Sequence, residues 1–213
     1  MVPMTGEDST IREVSYNEAE PVRIRDPVAE ALAVLEPGEP FVFTYDDVVK
    51  QAGHSCPTAA GSFRVVQKGL GELYTDEHPV RGGIAVRVAG EKDDAAYGVI
   101  SRIISYITGA AEEDGFGGLA GGYGARKNLI SFNAVDEGDG PTFVFERTDT
   151  GDAVKVVYHV SEVPDAGSGT ENLGNLIDGT ATDEERERFR RDWHDRVRTV
   201  LSDDSLFSVR PTG

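Results

Sequence analysis

One cysteine, two methionines and one tryptophan are all that the 213 residues contain of these types. A single thiol closes no disulfide within its own chain, which fits a reducing compartment and a cytoplasmic location. No apolar run approaches the roughly 18 residues that a membrane-spanning helix needs, so no membrane association is expected. The opening residues, MVPMTGEDSTIREVSYNEAEP, have neither a basic start nor an apolar stretch, so no secretory leader is expected either. Positive charge is scarce: 21 Lys and Arg stand against 38 Asp and Glu, a formal charge of −17. Such a surface repels polyanions, and no nucleic-acid partner is expected. The same acid-rich surface, with arginine preferred over lysine, is similar to that of proteins from salt-loving archaea, where dense salt screens the self-repulsion. GxSxG, HExxH and CxxC are all missing, and with them three common frameworks for catalysis or metal binding.

What is present reads as one α+β domain with additions at both ends. Residues 1–40 form an N-terminal extension: a polar lead-in to about residue 25, then a short helix through VAEALAVL, opened by Asp26 as N-cap and Pro27 at its first position. Residues 41–165 form the core, whose middle runs in the order helix, strand, helix, three strands after an additional first helix, with a small and mostly antiparallel sheet. Thr44 and Asp47 open its first helix as a variant capping box, and a second begins at Pro57. IAVRVAG alternates as a strand should, and a helix follows from Asp93–Asp94 to Thr108. LISFNAV, TFVFERT and AVKVVYHV are expected strands, the last two joined by a hairpin turn at Asp149–Asp152. Residues 166–213 form a polar linker and a helical arm. Thr182 and Glu185 make its capping box, and its tail SLFSVR is expected to return as an extended edge. The glycine-rich stretch EEDGFGGLAGGYG follows a helix and lacks the lysine and hydroxyl pair of a P-loop, so it reads as a mobile surface loop.

The chemistry centres on GHSCP, with His54 and Cys56 separated by one residue. Pro57 as the first helical residue makes Cys56 the N-cap, where unpaired amides and the helix dipole favour a thiolate. A thiolate beside an imidazole suits zinc or another late transition metal. It suits equally a nucleophile with its base, and a lone His-x-Cys is also compatible with simple packing. Of the other histidines, His78 reads as a loop residue, His159 as a satisfied strand end and His194 as part of a solvated helix face, unless the arm closes as a lid. Asp93 and Asp94 read as helix caps.

GHSCP-x-AAGSFR resembles the histidine–cysteine signature of the E-type subunit of formylmethanofuran dehydrogenase and its relatives. SYITG followed by YGARKNLISF, the hairpin FVFERTDTGDAVKV and the closing arm DEERERFRRDWHDRVRTVLSDDSLFSVR are similar to later stretches of that family, in order, over residues 41 to 210. The resemblance implies a paired α-β-α-β-β-β core, hence a homodimer, with a metal, usually zinc, near His54 and Cys56. It names no substrate or partner protein for this chain. The sequence departs from the family in having no cysteine in EKDDAAYGVIS, where a ligand is lost or replaced by Asp93 or Asp94, and in having Thr58 where a glycine is usual, a longer loop at 110–124 and no zinc ribbon. The expectation is a metal-binding accessory subunit or small metalloenzyme. The alternatives are a metal-free cysteine nucleophile and a non-catalytic binding module.

Overall fold

The computed structural model describes Tyr16, residues 19–165 and residues 172–212. The lead-in over residues 1–15 and most of the polar linker, residues 166–171, lie outside that range. Helices start where local chemistry says they should. Asp26 accepts the amides of Val28 and Ala29 at 3.0 and 3.4 Å and opens α1, Pro27–Ala31. Thr44 and Asp47 cap α2, Tyr45–Ala52; Cys56 caps α3, Pro57–Leu73; Asp94 caps α4, Ala95–Thr108. A one-turn helix α5, Leu173–Ile177, precedes α6, Asp183–Ser202, which the Thr182–Glu185 capping box opens.

The architecture is α+β, with a two-stranded and a five-stranded sheet. β1, Val22–Arg25, pairs antiparallel with β2, Pro40–Phe43, so the end of the expected polar lead-in is a strand. The main sheet runs β4–β3–β5–β6–β7, from β4, Ile130–Ser131, through β3, Ile84–Val88, β5, Thr142–Arg147, and β6, Ala153–Tyr158, to β7, Phe207–Thr212. Every pairing in it is antiparallel except β3 with β4. LISFNAV thus yields only a two-residue strand, while the C-terminal tail closes the far edge as expected. α1 is also shorter than VAEALAVL, because Ala33 takes a positive φ of 56°. Among the described residues, no helix is long and apolar enough to cross a membrane.

The core forms where α3 crosses β5, β6 and β7, flanked by α4 and α6. Two glycines let α3 come close. A Cβ on Gly61 would lie 2.2 Å from the Tyr158 ring, and one on Gly69 would lie 2.5 Å from that of Phe145. Around this contact Phe63, Val66, Ile84, Val86, Ile103 and Val156 are fully buried. Each such side chain contributes about 1.5–3 kcal/mol relative to exposure. This packing fixes the N-terminus of α3, and with it the histidine–cysteine motif.

Candidate functional site

Cys56 sits at the N-cap in extended backbone, and its Sγ accepts the Ala59 amide at 3.3 Å. The sulfur therefore bears on the positive end of a 17-residue helix. Cys56 is half-buried and free. His54 is exposed, just past the left-handed Gly53 that ends α2. Its Nδ1 lies 3.1 Å from the Ala52 carbonyl oxygen. A carbonyl can only accept, so Nδ1 carries the proton and Nε2 of the neutral ring keeps its lone pair.

The spacer between them, Ser55, is the best-connected residue of the motif. Tyr16 Oη donates to Ser55 Oγ at 2.7 Å, and His194 Nδ1 lies 2.6 Å from the same phenol oxygen. Ser55 Oγ is 3.0 Å from Tyr45 Oη, which reaches the Cys56 carbonyl at 3.5 Å. With one proton per hydroxyl, donation runs one way, from His194 through Tyr16, Ser55 and Tyr45 to the Cys56 backbone. Three successive carbonyls of the motif are held by aromatic donors from three elements. Trp193 Nε1 of α6 donates to Ser55 O at 2.8 Å, Tyr45 of α2 reaches Cys56 O, and Tyr158 of β6 donates to Pro57 O at 3.2 Å.

Burial is the main reason that Tyr16, Tyr45 and Tyr158 have raised pKa values, and the nearby Cys56 adds to the effect on each. All three phenols therefore keep their protons and act as donors near neutral pH. Burial, followed by the positive charges of Arg198 and Arg190, lowers the pKa of His194, with Asp195 opposing. The arm thus closes on the motif: Trp193 and His194 are half-buried against it, and His194 is not on a solvated face.

The other candidates lie apart. Asp94 caps α4, accepting the Ala96 and Tyr97 amides at 2.8 and 2.9 Å, as expected. His159 Nε2 is 2.7 Å from Ser208 Oγ at the sheet edge, and His78 is exposed in a loop. The glycine-rich loop is tied down by its own backbone. The Ala111 amide donates to Arg126 O at 3.0 Å, the Leu129 amide to Ala111 O at 2.8 Å, and the Arg126 amide to Phe116 O at 2.8 Å. Tyr123 Oη donates to Pro27 O at 3.3 Å, which fastens the loop to α1; none of these contacts involves His54 or Cys56. Among the described residues no group of three or more His, Cys, Asp or Glu side chains is placed to hold a metal ion, so neither Asp93 nor Asp94 completes a set with His54 and Cys56. The donor set matches a late transition metal in kind and falls short of a closed site in number. Compared with known proteins, the sequence matches no family model and no curated protein.

Proposed function

We propose that the chain is a metal-binding protein related to the E-type subunit of formylmethanofuran dehydrogenase, with an open site on His54 and Cys56. The observation that carries this reading is the Nδ1–Ala52 hydrogen bond, which leaves Nε2 of an exposed ring as a ligand atom, two residues from a thiol at a helix N-terminus. Hydrogen bonding on the far side of the ring is how metal-ligating histidines are usually held. His54 Nε2 and Cys56 Sγ would hold a zinc-like ion, and the remaining positions would go to water, substrate or a group from a partner such as a second copy of the chain. A bound ion of this kind supplies Lewis-acid polarisation of a carbonyl or a more acidic bound water. The protein's part is rigidity: the aromatic donors fix the backbone from Ser55 to Pro57, so the sulfur does not wander. The Ala59 amide on Sγ at the head of α3 also favours a second reading, a metal-free Cys56 nucleophile, since a helix N-terminus stabilises the thiolate.

Elemental analysis of tag-free protein after zinc loading and desalting separates the two. The metal reading expects one ion per site, lost in both Cys56→Ser and His54→Ala. Protein that retains no metal, and whose Cys56 alkylates rapidly near pH 6, would overturn it and favour the nucleophile.

A further inference from the structure

A groove of about 710 Å³ opens along the C-terminal half of α3, away from the His54–Cys56 corner. Val22 of β1, Leu70 and Gly71 of α3, Tyr74, and Phe207 and Val209 of β7 are among its lining residues. Gly71 is the one glycine of α3 that packing does not demand. A Cβ there would meet nothing within 4 Å, in contrast to Gly61 and Gly69, and its φ is not in the left-handed range. Glycine in a helix is less favourable than alanine, so a bare backbone at this position weakens the helix and keeps the groove floor open.

Three cations, Arg64 and Lys68 of α3 and Arg23 of β1, line the groove together with Glu20, Glu72 and Glu77. Arg64 is held in place: its Nη1 donates to Gln67 Oε1 at 2.8 Å, and its guanidinium carbon lies 5.8 Å from the Phe207 ring centroid. Arg64 and Lys68 share one carboxylate, that of Asp204, whose side chain is 68% exposed. The side chains of Arg64 and Lys68 are only 12% and 25% exposed, so the carboxylate they share, on the exposed Asp204, is the group that an incoming anion would replace. Arg23 is exposed and has no ion pair among the described residues. Of the acidic lining residues, Glu77 is taken up by Arg147 at 2.8 Å, and Glu20 and Glu72 are exposed.

We propose that this groove binds a small organic anion. An apolar or aromatic body lies over Gly71 against Leu70 and Tyr74, and a carboxylate, sulfonate or phosphate group meets Arg64, Lys68 and Arg23. The volume is within the range of pockets that enclose ligands of this size. The proposal is independent of metal binding at the other end of α3.

Fluorescence titration with anilinonaphthalene sulfonate, and with phenylnaphthylamine as the same ring system without the sulfonate, tests both halves of the idea. One sulfonate dye per chain is expected, bound at least tenfold more weakly by Gly71→Phe and severalfold more weakly by Lys68→Glu. Gly71→Ala, which adds only a methyl group and favours the helix, is expected to keep the wild-type circular dichroism. The neutral dye is expected to bind at least tenfold less tightly than the sulfonate. No dye binding to the wild type, binding that Gly71→Phe leaves unchanged, or equal affinity for the neutral dye would each overturn the proposal. Lys68→Glu, a surface change, keeps it testable if the phenylalanine variant misfolds.

Discussion

Asp26 and Cys56 occupy the same place in the same local design. Each is an N-cap in extended backbone, directly before a proline that opens a helix. Their surroundings differ. Asp26 is 3% exposed, and its carboxylate takes two helix amides on Oδ1 and the guanidinium groups of Arg81 and Arg126 on Oδ2. Burial, and then the charge of Arg126, lowers the pKa of Arg81, with Asp26 opposing. Cys56 takes one amide on its sulfur, while the hydrogen bonds around it go to the backbone. One cap is saturated and serves as a clamp that joins α1, the residue-81 turn and the glycine-rich loop. The other is held firmly, yet its sulfur accepts only one amide and retains capacity for a further partner. Function is to be sought where a cap is rigid but unsaturated.

The largest effect should come from breaking the saturated cap. Asp26→Ala strands two arginines and is expected to cost about 3–5 kcal/mol in chemical denaturation. Asp26→Asn, which keeps the cap, should recover about 1 kcal/mol of that loss. A denaturation midpoint unchanged in Asp26→Ala would show that the clamp is ornamental. Gly61→Ala attacks the support of the other cap by forcing a methyl group onto the Tyr158 ring. A loss of about 1–3 kcal/mol is expected, with the Tyr158–Pro57 hydrogen bond disturbed.

Cys56 itself should matter little to folding. Cys56→Ser supplies a better cap and should leave stability within about 0.5 kcal/mol of wild type, whereas Cys56→Ala should cost about 1 kcal/mol. If serine is as damaging as alanine, the sulfur is there for packing and the contrast with Asp26 fails.

The smallest effect concerns pH. The folded-state pKa of His194 lies below its ordinary value of 6.5, so the unfolded chain takes up the proton more readily. The stability from the neutral ring is complete above about pH 6.5 and falls as the pH drops through the window between that value and the lower folded one. Thermal melts from pH 7 to 5 should therefore decline more steeply for the wild type than for His194→Gln. Parallel curves would remove His194 from the network.

How much of this can be read from the sequence follows from the range of each interaction. The α+β class and most helix starts are legible because caps are local: Asp26–Pro27, Thr44 with Asp47, Cys56–Pro57 and Thr182 with Glu185 each lie within a few residues. The β1–β2 pair is not, since VRIR and PFVF are too short to stand out and their further partners, the core around Ile24 and the backbone of Pro79 and Arg81, lie far along the chain. The glycine-rich loop reads as mobile because its anchors, Pro27 and Arg126, are invisible to local pattern. Ser55 reads as a spacer for the same reason. Its partner Tyr16 is 39 residues away, and His194 lies 178 residues from Tyr16. Residue type and spacing nominate His54 and Cys56, but the hydrogen bond that places the proton of His54 on Nδ1 depends on a backbone carbonyl that only the folded turn presents.

The indole that grips Ser55 O belongs to the only tryptophan in the chain. Its ring stacks on Phe189 at a centroid separation of 5.4 Å, so the emission of the whole protein reports on one hydrogen-bonded corner. Arrival of an ion at His54 and Cys56, alkylation of the sulfur, or detachment of α6 would each alter the polarity and quenching around that single fluorophore. The protein carries its own optical gauge of the motif, readable without a label and in real time.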